Sequence, residues 1–145
     1  MKLVSNDPDE TEQAGYVLGK RLKAGDVVSL YGDLGTGKTT MVKGIARAFG
    51  IAGRDVTSAS FTIIAEHDTV PAFFHIDLYR VEKEEDIDAT GIWDCLGRDS
   101  VAVIEWAEKL GASAAGFIRV RLKDIGDNRR EIYIEGLNEE DRHNQ

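Results

Sequence analysis

The segment Gly32-Asp33-Leu34-Gly35-Thr36-Gly37-Lys38-Thr39 brings together the residue types that hold a polyphosphate. Glycines let a backbone fold back until several N–H groups face one anion. A helix opening at the lysine adds its positive end. The spacing matches G-x-x-x-x-G-K-[ST], a pattern that carries weight only between a strand and a helix. Both are expected here. Val27-Val28-Ser29-Leu30-Tyr31 is a short apolar run bounded by glycines, and Met41, Val42, Ile45 and Phe49 recur at helical spacing after Lys38. In that setting Lys38 reaches the β- and γ-phosphates, and the Thr39 hydroxyl ligates Mg²⁺. The expected ligand is a nucleotide.

Two acids stand where a magnesium-side carboxylate belongs, at the ends of predicted strands: Asp77 after Ala72–Ile76 and Glu105 after Val101–Ile104. Either would hold a metal-bound water or orient an attacking one. Each has a plainer reading: Asp77 caps a helix or pairs with Arg80, and Glu105 opens the helical-looking segment from Trp106 to Leu110. The same weighing applies elsewhere. Trp93 and Trp106 are residue types that more often pack than bind, and His75 in a hairpin strand is more often simply hydrogen-bonded. Arg80 fits phosphoryl charge or the acids at 82–86 equally well. Arg119 and Arg121 face Glu131 and Glu135 across a predicted hairpin, on a solvated sheet face. Cys95 has no nearby basic cluster and reads as inert.

The elements that must position these groups follow in order. Leu3-Val4 begins a short strand. Asp7 as N-cap, Pro8 at the first helical position and Glu10 at the third open a helix. Ala14, Val17, Leu18 and Leu22 mark its apolar face, and it is expected to end near Ala24-Gly25. After the phosphate loop, residues 62–66 and 72–77 form two strands around a short turn, an antiparallel hairpin. Acidic residues 82–88 suit an exposed helix. Val101-Ala102-Val103-Ile104 is a continuous apolar run, as in a central strand. Ile118, Val120 and Leu122, then Ile132 and Ile134, alternate along two closing strands. The expected fold is therefore α/β. It has a mixed, P-loop NTPase-like sheet that is parallel near the phosphate loop, helices on both faces, the 62–77 hairpin, and two antiparallel strands extending one side. Residues 1–137 are expected to form one domain and residues 138–145 a frayed polar tail.

Composition narrows the function. The 145 residues are 42% hydrophobic and 30% charged, and a single cysteine excludes an intrachain disulfide. A net charge of −8, from 18 basic and 26 acidic residues, argues against direct nucleic-acid reading. No apolar run approaches the ~20 residues that span a bilayer, and Met1–Ser5 is too short for a signal peptide. The expectation is a cytoplasmic protein, monomeric when free, without membrane contact.

At this point four motifs in order resemble the TsaE (formerly YjeE) family of bacterial ATPases. They are Gly32–Thr40, His75-Ile-Asp-Leu-Tyr-Arg80 against the family's H-x-D-x-Y-R, Gly91-Ile92 with acids before it, and Glu105-Trp106 ending a strand. The resemblance covers Thr11 to about Glu135. It implies an accessory ATPase for N6-threonylcarbamoylation of adenosine 37 in tRNA, acting with the proteins TsaB and TsaD, the latter performing the transfer. It further implies that Gly32, Asp33, Gly35, Thr36, Gly37, Lys38, Thr39 and Thr40 hold ATP or ADP, with Thr11 and Trp106 beside it. Thr39, Glu105 and Asp77 would serve Mg²⁺, and Lys38, Asp77 and Glu105 would serve hydrolysis. One segment departs from the family. Ser58-Ala59-Ser60-Phe61 stands where Ser-Pro-Thr-Phe or Ser-Pro-Thr-Tyr is usual, keeping a hydroxyl and losing the proline that stiffens the unbound loop.

Two other classes compete. A small-molecule P-loop kinase has this size, but its lid over the phosphates usually carries arginine, whereas residues 84–88 are acidic around Ile87. A GTPase switch would use D-x-x-G after an apolar strand. Asp88–Gly91 and Asp94–Gly97 lack that strand, and the chain has no N-K-x-D guanine motif.

Overall fold

A computed structural model describes residues 1–33, 35–56 and 63–137. Leu34, the Ser58-Ala59-Ser60-Phe61 segment, the first residue of the expected hairpin and the 138–145 tail lie outside the described residues.

The strands are β1 (Lys2–Ser5), β2 (Val27–Tyr31), β3 (Ile64–His67), β4 (Ala72–Asp77), β5 (Ser100–Glu105), β6 (Ile118–Gly126) and β7 (Arg129–Glu135). They form one sheet in the order β1-β7-β6-β2-β5-β4-β3. β2 pairs in parallel with both β5 and β6, and β5 with β4. The β3–β4, β6–β7 and β1–β7 pairs are antiparallel. The mixed α/β sheet expected from the pattern is thus present, with β2, the strand feeding the phosphate loop, at its centre. β5 is buried along its whole length, which is why it reads as an unbroken apolar run.

The two faces are covered differently. On one, helices α1 (Pro8–Gly19) and α2 (Lys38–Ala48) pack over Val28, Leu30, Phe73, Val101, Val103 and Val120. On the other, Ile76, Ala102 and Ile104 meet short pieces: α3 (Glu85–Asp88), α4 (Ile92–Cys95) and the 3-10 helix Ala107–Ala114. Alternation along β4 and β5 sends successive residues to opposite layers.

Helix α1 begins as its cap predicts. The Asp7 side chain accepts the Glu10 N–H at 2.8 Å, and Pro8 is the first helical residue. Its end and its face differ from expectation. The helix stops at Gly19, several residues before Gly25, and Val17 points to solvent. The buried face is Thr11, Gly15, Leu18 and Gly19 because α1 crosses α2 almost backbone to backbone. A Cβ on Gly15 would lie 2.3 Å from the Met41 carbonyl oxygen, and one on Gly44 would lie 1.9 Å from that of Glu12. Apolar periodicity does not reveal a contact made by missing side chains.

The segment after Glu105 is a 3-10 helix kinked at Gly111, and the acidic segment is helical only over Glu85–Asp88. Arg119 meets Glu135 across β6–β7 as the alternation predicts, at 2.9 Å, while Arg121 lies over the Tyr31 ring. Trp93 is half-exposed, with its indole N–H on Asp88, rather than packed in the core.

Candidate functional site

The carboxyl ends of β2, β4 and β5 meet the amino end of α2 around a cavity of about 520 Å³. Of the residues expected at a nucleotide, Thr11, Gly35, Gly37, Lys38, Thr39, Thr40 and Trp106 line it, together with Asp77 and Glu105. Gly32, Asp33 and Thr36 build the loop behind that lining. Gly32 has a φ of 150°, and a Cβ there would come within 2.6 Å of the Thr36 hydroxyl and 2.9 Å of the Leu122 carbonyl. Only glycine fits that approach. The Thr36 hydroxyl donates to the Asp33 carbonyl at 2.8 Å, closing the turn. Gly37, with a φ of 97°, leads into α2.

Asp77 and Glu105 are register partners on adjacent strands, so their carboxylates emerge on the same face, toward α2. Glu105 is nearly sealed from solvent, and both its oxygens are held: the Thr39 hydroxyl donates to Oε1 at 3.1 Å, and the His75 Nε2–H donates to Oε2 at 2.6 Å. His75, two residues before Asp77, is itself buried. Sequence reasoning made it a satisfied histidine. The structure makes its partner the strand-end acid, which fixes the carboxylate facing Thr39. Asp77 accepts the Tyr79 N–H at 2.9 Å, so it also caps the turn that follows β4.

Lys38 is buried, and its ammonium donates to the Gly32 carbonyl at 2.5 Å while lying 3.2 Å from the centre of the Trp106 ring. Burial pushes its pKa below the ordinary lysine value, against the pull of Glu108, Glu105, Asp77 and Asp33. Trp106 is brought there by its backbone. With φ 58° it takes the left-handed conformation, which costs a bulky residue about 1–3 kcal/mol, and the turn swings the indole over Lys38 and against Tyr79. Lys109 donates to the Tyr79 and Val81 carbonyls and steadies that side of the rim.

Thr11 lines the cavity, but its hydroxyl is engaged with Ser5 at 2.7 Å, so it meets the site through its methyl side, near Gly37. Three residues escaped the sequence reading. Glu108 accepts the Gly32 N–H at 3.3 Å, and Asn128 and Arg130 enter the cavity lining from the β6–β7 hairpin. Arg130 lies 94 residues from Thr36 in the chain, to whose carbonyl it donates. No local motif marks such a contact. None of the acidic residues 82–88 lines this cavity. Cys95 is partly buried against the Gly91 carbonyl, and burial together with Asp94 and Glu66 raises its thiol pKa, in keeping with an inert side chain.

The donor set suits a magnesium polyphosphate. Hard oxygen donors from Thr39, Glu105 and Asp77 converge beside a buried cation, a glycine cradle and a helix amino end. Among the described residues no group of three His, Cys, Asp or Glu side chains that could hold a metal ion occurs, and magnesium characteristically takes much of its shell from phosphate oxygens and water.

A strand, a glycine loop with a buried lysine and a helix, flanked by a parallel strand ending in a held carboxylate, define a P-loop nucleotide-binding α/β protein. The chain belongs to the TsaE family: the family described as threonylcarbamoyl adenosine biosynthesis protein TsaE matches residues 5–132. A Treponema pallidum protein named tRNA threonylcarbamoyladenosine biosynthesis protein TsaE is 35% identical over 135 residues, 92% of this chain and 99% of that one. A Bacillus subtilis protein of the same name is 39% identical over 129 residues, 87% of this chain and 79% of its own. The crystal structure of Bacillus subtilis YdiB superposes with a TM-score of 0.74 at 31% identity, covering 99% of this chain and 89% of that one. Among the described residues no helix is long and apolar enough to cross a membrane.

Proposed function

We propose that this chain is an accessory ATPase of tRNA N6-threonylcarbamoyladenosine formation, binding and hydrolysing Mg-ATP while docked on TsaB and TsaD. Family membership and the names of its relatives support the pathway. The observation that carries the nucleotide part is the run Thr39–Glu105–His75 beside the buried Lys38 ammonium, all at the mouth of the glycine loop. Bound Mg-ATP supplies the scissile phosphoryl group and a divalent charge. The chain's own residues do the rest. Lys38 leaves the Gly32 carbonyl to neutralise phosphate charge, and Thr39 and Glu105 offer oxygens to the metal. Asp77 accepts a hydrogen bond from the attacking water and orients it. His75 keeps Glu105 from rotating, and Trp106 with Tyr79 shields one side from solvent.

The test is hydrolysis and threonylcarbamoylation in a reconstituted mixture. Hydrolysis by the chain alone should be feeble and should rise when TsaB and TsaD are added, and multiple-turnover modification should require it. Modification that runs unchanged without the chain would refute the pathway reading. Lys38→Ala should abolish nucleotide binding or hydrolysis, whereas Asp77→Asn and Glu105→Gln should lower hydrolysis more than binding. Wild-type turnover in Lys38→Ala would overturn the site.

A further inference from the structure

We propose that Arg130, on the C-terminal hairpin, is a positioning residue that fixes the Gly35 and Thr36 carbonyls of the phosphate loop and so presets the Gly37 N–H for a polyphosphate. The proposal rests on the nucleotide reading above and extends it to a residue outside the loop. Arg130 Nε donates to the Thr36 carbonyl at 3.0 Å and Nη2 to the Gly35 carbonyl at 3.1 Å. Nη1 donates to Asp124 Oδ1 at 3.1 Å and to the Arg129 carbonyl at 2.9 Å. Asp124 is fixed in turn, because its Oδ1 accepts the Gly126 N–H at 2.9 Å, at the irregularity in the β6–β7 register. The planar fork therefore spans from a braced hairpin to two successive peptide planes of the loop.

The direction of those planes matters. In a trans peptide, C=O and N–H point opposite ways. With the Thr36 oxygen turned to Arg130, the Gly37 N–H points away from it, and Gly37 lines the cavity. The other described loop carbonyls are also taken. That of Gly32 accepts from Lys38, that of Asp33 from the Thr36 N–H and hydroxyl, and that of Gly37 from the Met41 N–H. Lys38 must leave Gly32 to serve a phosphate, whereas the Arg130 bonds can persist through binding. Gly35 and Gly37, both at positive φ, have the freedom to flip that makes such a clamp necessary. Lysine cannot replace the fork, since a single ammonium does not match two carbonyls and a carboxylate in one plane.

Amide NMR spectra of the nucleotide-free protein, followed by titration with Mg-ADP, test this for wild type, Arg130→Ala and Arg130→Lys. In Arg130→Ala the strand amides should keep their positions while the Gly35, Thr36 and Gly37 amides move. ADP affinity should fall about tenfold, the result of reducing the preset loop to roughly a tenth of the population. Arg130→Lys should restore neither. Wild-type ADP affinity in folded Arg130→Ala overturns the proposal. So does lost affinity with the loop amides unmoved, which would make Arg130 a direct phosphate ligand. If Arg130→Ala does not fold, Arg130→Gln is measured in its place against the same two outcomes. A wild type that binds no ADP sinks the nucleotide reading, while the loop amides of the nucleotide-free variants still decide the clamp.

Discussion

Glu105 is held at both carboxylate oxygens, by a hydroxyl on α2 and a ring nitrogen on β4, and that makes it the most constrained acid of the site. A partner that orients a metal-side carboxylate typically contributes 10–100-fold in metal affinity or activity. His75→Ala is therefore expected to lower hydrolysis by about 10–100-fold and to raise the magnesium concentration for half-maximal rate. His75→Gln, which keeps an N–H donor, should recover part of both. A magnesium titration with an unchanged midpoint in His75→Ala would reduce the histidine to packing. The residue pattern marked Glu105 and His75 separately. Their pairing needed β4 and β5 side by side, with His75 opposite Val103 and Asp77 opposite Glu105.

At the scale of elements, the α1–α2 crossing positions the loop helix. A methyl on Gly44 has no space against the Glu12 carbonyl, so the helices must separate to accept it. Gly44→Ala should destabilise the protein by about 1–3 kcal/mol despite the better helix propensity of alanine. Urea unfolding reads this directly, and a midpoint equal to wild type would show a looser crossing. The C-terminal hairpin offers a test by pH. The Tyr133 hydroxyl donates to the Glu131 carboxylate, which raises the phenol pKa and lowers the carboxyl pKa. The stabilising contribution of this bond is complete between the ordinary carboxyl and phenol values. It is lost as pH falls through the lowered Glu131 value, and again as pH rises through the raised Tyr133 value. Ultraviolet titration should show one tyrosine ionising later than in Glu131→Gln. Identical curves would mean that the bond does not form in solution.

For the whole molecule, a ligand held by the loop, β5 and the β6–β7 hairpin together stabilises the fold through linkage. ADP with magnesium at about 100 times its dissociation constant should add about 2.7 kcal/mol, a Tm rise of about 5–10 °C for a chain of this length. Lys38→Ala should remove the rise, as seen by differential scanning calorimetry. A rise that persists in Lys38→Ala would place the nucleotide elsewhere. The −8 net charge fits this arrangement. The cations that line the cavity, Lys38 and Arg130, are few and engaged with loop carbonyls, so the proposed phosphate site asks for no excess of basic residues in the chain.

The sequence alone determined whatever depends on neighbours in the chain: the glycine spacing of 32–37, the strand before it and helix after it, the Asp7 cap, and acids at two strand ends. Those features follow from local backbone freedom and from side-chain periodicity, which a linear reading contains. Only the tertiary structure decided that His75 holds Glu105, that Trp106 covers Lys38, that α1 packs through glycines rather than Val17, and that Arg130 braces the phosphate loop. Each of those depends on strand order, register or close backbone approach. These bring together residues as far apart as 95 positions, and no pattern along the chain encodes which of them will meet.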